Sequence, residues 1–146
     1  MHLALFPRPE EVFSEAPAEL LEEWKRIFTV RDEALRVLEE ARQAKRIGKG
    51  LEAELQITAS GDQLGLLLRH AAGLKEIINV SAVNVVSGSA DGVLKIAALP
   101  ASGSKCARCW NFMPKVADFG VWKNVCTRCH DALTEMGIDP PNSEAA

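Results

Sequence analysis

At 146 residues, 47% of them hydrophobic and 25% charged, the chain has the apolar content for a packed core and an ordinary globular composition, which excludes a low-complexity or generally disordered protein. The length fits one domain, or two small units sharing an interface. A net charge of −3, from 17 basic and 20 acidic side chains, carries no overall nucleic-acid signature, and no run approaches the ~20 apolar residues that span a bilayer.

Residues 1–16 read as an extended lead-in, because Pro7 and Pro9 oppose regular helix, and the chain reads as beginning in the middle of a longer one. No basic segment followed by a long apolar run marks a secretory signal. Ser14 is a candidate helix cap with Pro17 in the first turn, after which Leu20, Leu21, Trp24, Ile27 and Phe28 recur at helical spacing. A second helical stretch over residues 31–47 places Ala34, Leu35, Leu38 and Ala41 on one face. Lys45 and Arg46 suit its C-terminal dipole, and Gly48 is a natural stop. The pattern leaves open whether this is one helix or two.

From Leu51 the period becomes two. Leu51, Ala53, Leu55 and Ile57 alternate with polar residues and predict a half-buried strand. Ser60-Gly61-Asp62 forms a turn, and Leu64, Leu67 and Leu68 suggest a short helix ending near Gly73. The β-branched run from Ile77 to Val86 predicts a strand. Turn signals at residues 87–92 then lead to a third strand over residues 93–98, and residues 101–104 form a short linker. The chain therefore reads as α+β in four parts. Residues 1–50 are helical, 51–103 form a small β-α-β-β unit, 104–138 form a cysteine module, and 139–146 are a frayed tail.

The four cysteines follow the spacing Cys-x2-Cys-x16-Cys-x2-Cys, as Cys106, Cys109, Cys126 and Cys129. A Cys-x-x-Cys turn brings two thiolates to one side of a metal, and two such turns complete a tetrahedral four-sulfur site. The spacing predicts one structural zinc ion, since four protein ligands leave no position for a reacting water. Paired cysteines of this kind fit a reducing, cytoplasmic setting better than a disulfide framework. His130 adjoins Cys129 but is surplus to a complete ligand set. His2 and His70 have no acid–base partner nearby in sequence.

Charge within the module is one-sided. Lys105, Arg108, Lys115, Lys123 and Arg128 face only Asp118 over residues 104–130, leaving about +2 once four thiolates hold a zinc ion. Arg42, Lys45, Arg46 and Lys49 form a second basic patch. Trp110 directly follows the second cysteine, two residues after Arg108. An aromatic and an arginine on one exposed knuckle suit base stacking and phosphate contact on single-stranded nucleic acid. The alternative is that Trp110 is core and the basic residues are solvated charge.

Lys105-Cys-Ala-Arg-Cys-Trp110, followed by Val125-Cys-Thr-Arg-Cys129, resembles the C-terminal zinc module of bacterial isoleucyl-tRNA synthetases, class I enzymes. Upstream, Trp24, Arg31, Leu38-Glu-Glu-Ala-Arg42, Lys45-Arg-Ile-Gly48 and Leu51-Glu-Ala53 are similar to the end of that family's anticodon-binding helical domain, and His2-Leu-Ala-Leu-Phe-Pro7 to the segment before it. The family's His-x-Gly-His motif and Lys-Met-Ser-Lys-Ser loop are absent. The resemblance thus implies a C-terminal fragment without a catalytic site, whose monomeric parent, an ATP-dependent isoleucine–tRNA ligase, holds the chemistry. It implies binding of the isoleucine tRNA's anticodon arm, with Arg108 and Trp110 toward the anticodon and Arg42, Lys45 and Arg46 toward backbone phosphate. Two other readings remain open on the residues: a DNA-binding zinc finger like that of formamidopyrimidine-type DNA glycosylases, which resembles the cysteine part only, and a purely structural zinc-stapled interaction domain.

Overall fold

A computed structural model describes residues 7–8, 11, 17–88 and 92–138. The Ser14 cap, most of the lead-in with His2, the turn at residues 89–91 and the tail at residues 139–146 lie outside the described residues.

The helical pattern forms one helix, α1, Ala18–Gln43, with Pro17 just before it. Thr29 and Val30 do not break it, because Thr29 Oγ1 donates to Lys25 O at 3.0 Å and Val30 is buried in the core. Its solvent side is laced with ion pairs. Arg36 reaches both Glu33 and Glu40, and Arg42 reaches Glu39. The helix ends four residues before the predicted end. Lys45 takes a left-handed conformation with φ 56°, Lys45 N–H donates to Arg42 O, and Arg46 N–H donates to Ala41 O at 2.9 Å. This is the Schellman pattern, with lysine where glycine is usual. Gly48 follows the turn instead of making it.

A 3₁₀ turn at Gly50–Glu52 leads into β1, Ala53–Ala59. Helices α2, Gly61–Arg69, and α3, Ala71–Ile78, then cross over to β2, Ala82–Ser87, which pairs parallel to β1. β3, Lys95–Pro100, pairs antiparallel on the other edge, so the strand order is β2-β1-β3. The expected strand from Ile77 starts five residues late. Ile77 and Ile78 end α3 instead, since Ile78 and Leu74 are buried against the sheet, and Asn79, at φ 64°, turns the chain out. Packing outweighs the β preference of the two isoleucines. The short helix predicted to end near Gly73 is accordingly two helices.

One core joins these elements. Ala53, Leu55, Ile57 and Ala59 project from one face of β1 onto Val30, Ala34, Leu38 and Ala41 of α1, and onto Leu67, Leu74 and Ile78. Arg31 Nε donates to Ile77 O at 3.1 Å, occupying a carbonyl at the end of α3. His70, partnerless in sequence, has Glu23 at 3.3 Å and the Trp24 ring at 5.8 Å.

The expected linker is held tightly. Ala101 N–H donates to Glu52 O at 2.7 Å. Gly103, at φ 91°, lies so close to Met113 that a Cβ would fall 2.3 Å from its carbonyl oxygen. Ser81 joins the two parts. Its hydroxyl donates to Leu51 O at 2.6 Å and accepts from Phe112 N–H at 2.7 Å.

Candidate metal centre

The module is built from two small hairpins and a helix. β4, Ser104–Lys105, pairs with β5, Phe112–Met113, and β6, Val116–Phe119, pairs with β7, Trp122–Cys126. Helix α4, Thr127–Glu135, follows directly. The sequence reading missed α4, because Cys129, which with Leu133 forms its buried side, was read as a ligand and not as part of a helical face.

The first knuckle lies between β4 and β5. Cys106 N–H donates to Asn111 O and Trp110 N–H to Cys106 O, both at 2.9 Å. Asn111 Nδ2 donates to Cys109 O at 3.2 Å. The second knuckle is the start of α4, with Cys126 capping it and Cys129 in its first turn, where the helix dipole favours negative charge. Cys126 N–H donates to Cys106 Sγ at 3.2 Å and Ala107 N–H to Asn124 O at 2.8 Å, so the knuckles brace each other.

The fold brings all four sulfur atoms within 4.8 Å of one another, and Cys109 and Cys126 Sγ are 3.9 Å apart. Four sulfurs at about 2.3 Å from one tetrahedral ion are separated by about 3.8 Å. The donor set therefore fits a single metal ion. No disulfide joins the four cysteines. Their environment is divided. Burial raises the Cys106 thiol, but backbone N–H donors from Cys109, Cys126 and Arg108 outweigh it and bring it down to about 6. Burial pushes Cys129 up to about 12, against the Arg108 guanidinium, with neighbouring sulfurs adding to the rise. Four thiolates in so small a volume require a cation.

Both knuckle arginines approach sulfur. Arg108 Nη1 lies 3.8 Å from Cys129 Sγ. Arg128 and Cys109 line one cavity, and the thiol raises the Arg128 guanidinium above its ordinary value. His130 stacks on Phe119 with ring centres 4.2 Å apart, and its Nδ1 lies 3.4 Å from Asp131.

Trp110 is 60% exposed and sits at φ 63°, so it is not core. It lines a notch with Lys49, Glu52, Lys105 and Phe112. Glu52 also borders the depression formed by Arg42, Lys45 and Arg46. The two basic patches, some sixty residues apart in sequence, are thus neighbours. Within the depression, Arg42 is paired to Glu39, which it holds down to about 2, with Gln43 assisting. Arg46 Nη1 donates to Ala98 O at 3.3 Å, tying the end of α1 to β3. Lys49 and Lys105 were not singled out from sequence as neighbours of Trp110, because only the fold brings them to it.

No family model matches the chain. It is 33% identical over 141 residues to the isoleucine–tRNA ligase of Staphylococcus epidermidis, covering 93% of this chain and 15% of that protein. It is 34% identical over 143 residues to that of Geobacter sulfurreducens and 36% over 139 to that of Brachyspira hyodysenteriae, each match covering 91% of this chain. The chain matches the C-terminal portion of isoleucyl-tRNA synthetases. It spans about 15% of the length of those curated synthetases. The match runs through both the α/β unit and the cysteine module, whereas a glycosylase-type finger accounts for the module alone.

Proposed function

We propose that this chain is the tRNA-binding C-terminal region of an isoleucine–tRNA ligase, gripping the anticodon arm while a catalytic domain elsewhere in the parent charges the tRNA. In this reading Cys106, Cys109, Cys126 and Cys129 hold one zinc ion, which supplies a rigid tetrahedral node and no reaction step. The observation that carries the proposal is the exposed Trp110 ring on a knuckle braced against four clustered sulfurs. A side chain so mounted is pre-organised, and stacking a base on it contributes about 1–3 kcal/mol. Arg108, two residues earlier on the same knuckle, adds a permanently charged planar group. Lys45, Arg42 and Arg46 extend a positive surface away from the notch, suited to phosphate. The reading assigns residues 1–50, 51–103 and 104–138 to the end of the helical anticodon domain, the α/β unit and the zinc module. It places the parent in the cytoplasm as a monomer.

The test restores the full-length ligase and compares Trp110→Ala and Arg108→Ala with the parent, measuring zinc content and melting alongside. The expected result is a lower kcat/KM for tRNA, by about 5- to 150-fold for Trp110→Ala, with isoleucine activation by ATP unchanged. Charging at the parental rate by folded, zinc-loaded variants would reduce Trp110 and Arg108 to surface residues. Equal binding of duplex DNA and tRNA would favour the zinc-finger alternative.

A further inference from the structure

The two knuckles carry the same internal sequence, Cys106-Ala-Arg-Cys109 and Cys126-Thr-Arg-Cys129, with arginine in the third position of each. The fold uses the two arginines reciprocally. Arg108 of the first knuckle reaches Cys129 of the second, at 3.8 Å, and Arg128 of the second lines one cavity with Cys109 of the first. Arg108 therefore crosses to a sulfur of the other knuckle, and Arg128 is placed on the cavity wall that holds the sulfur-bearing Cys109 of the first. The arrangement covers the weak point of the cluster. Cys106, Cys126 and Cys129 are buried, but Cys109 is only partly so. Cys109 borders a cavity of about 140 Å³ between the knuckle and α3, and Arg128 lines that same cavity with Lys75 and Asn111.

We propose that Arg108 and Arg128 form a crossed pair of positioning residues that hold the metal in the four-cysteine site, each donating to a sulfur of the opposite knuckle. This rests on the metal reading above and goes beyond it. Four thiolates around a divalent ion carry a net charge of −2, and two guanidinium groups on the sulfurs bring the cluster to neutrality. A sulfur that accepts a charged N–H is a weaker base and a poorer point of attack for a proton or a competing chelator. Because each donor comes from the other knuckle, separating the knuckles breaks both contacts at once. Arg108 in this role still leaves guanidinium N–H groups free of sulfur, since a guanidinium has five.

The test is zinc release from the whole 146-residue chain, followed with the coloured chelator 4-(2-pyridylazo)resorcinol. The parent is compared with Arg108→Gln, Arg128→Gln, Arg108→Lys and Arg128→Lys, and with Lys115→Gln as a control that removes charge elsewhere on the module. Circular dichroism of the zinc-loaded forms checks folding. Each glutamine variant is expected to bind zinc about 10- to 100-fold less tightly and to release it faster. Each lysine variant should fall between glutamine and parent, since an ammonium keeps the charge but loses the fork. Lys115→Gln should release at the parental rate. Parental release by the glutamine variants overturns the inference, as does equal acceleration by Lys115→Gln. Should a glutamine variant fail to fold, its lysine counterpart decides, and a parental rate there overturns the inference. A parent that purifies without zinc and takes up none overturns the metal reading itself, a separate outcome.

Discussion

Trp110 combines two features that rarely meet in one residue, a large exposed ring and a left-handed backbone. For an L-residue that conformation costs about 1–2 kcal/mol, which glycine avoids. Trp110→Gly is therefore expected to melt no lower than the parent when zinc-loaded, while tRNA affinity falls. A drop in melting temperature would show that the ring packs more than its exposure implies. Ser81 is the converse, a small buried residue with two obligations. Ser81→Ala leaves the Phe112 N–H and the Leu51 carbonyl without that partner, and urea unfolding should record a loss of about 1–3 kcal/mol. The cysteine cluster was legible in sequence, because a Cys-x-x-Cys turn is a local geometry that spacing alone specifies. The crossed arginines were visible only as charge, because which sulfur each one meets depends on how the knuckles face.

At the level of elements, the helix and strand periodicities marked α1 and β1 correctly, since each has one face on the core. Boundaries were less legible. Lysine at position 45 gives no glycine signal, yet it closes α1, and a stop placed at Gly48 overran it. Lys45→Gly tests that assignment. It should raise stability by about 1 kcal/mol, read as a higher denaturation midpoint, because the C′ position favours glycine. A lower midpoint would mean that the Lys45 side chain makes a stabilising contact outweighing its backbone cost. The strand predicted at Ile77 failed for the opposite reason. Two β-branched residues have a real strand preference, but Ile78 gains more by completing the seam between α3 and β1.

Among the described residues the molecule has two apolar clusters of different kinds. The first, around β1, is aliphatic and joins α1, α2, α3 and the sheet. The second is built on Cys106, Val125, Cys126 and Cys129, with Met113, Val116, Phe119 and Trp122 only partly buried around them, so that Val125 is its one buried member other than a cysteine. Metal binding in such modules supplies on the order of 10 kcal/mol of folding energy at neutral pH. Chelation is expected to abolish hydrogen-exchange protection over residues 104–133 while β1, β2 and β3 keep theirs. Loss of protection across both regions together would show that the first cluster cannot stand without the second.

The Ser81 hydroxyl also bears on how this chain could be dissected. Residues 101–104 look in sequence like the place to cut, being small and polar. A module excised there would keep its four sulfurs, but the Phe112 amide would lose the oxygen that receives it, and the backbone of Met113 would lose Gly103 at its flank. The other piece would be left with Leu51 and Ser81 facing solvent where β5 had lain. A cut before residue 51 retains Leu51, Ser81 and Phe112 on one fragment, at the expense of α1, whose side chains form one wall of the aliphatic core. An incision between Leu51 and Phe112 parts Ser81 from one of its two partners, and one just before Leu51 removes α1, so the smallest piece that keeps the knuckle seated as it is here begins within α1 or before it.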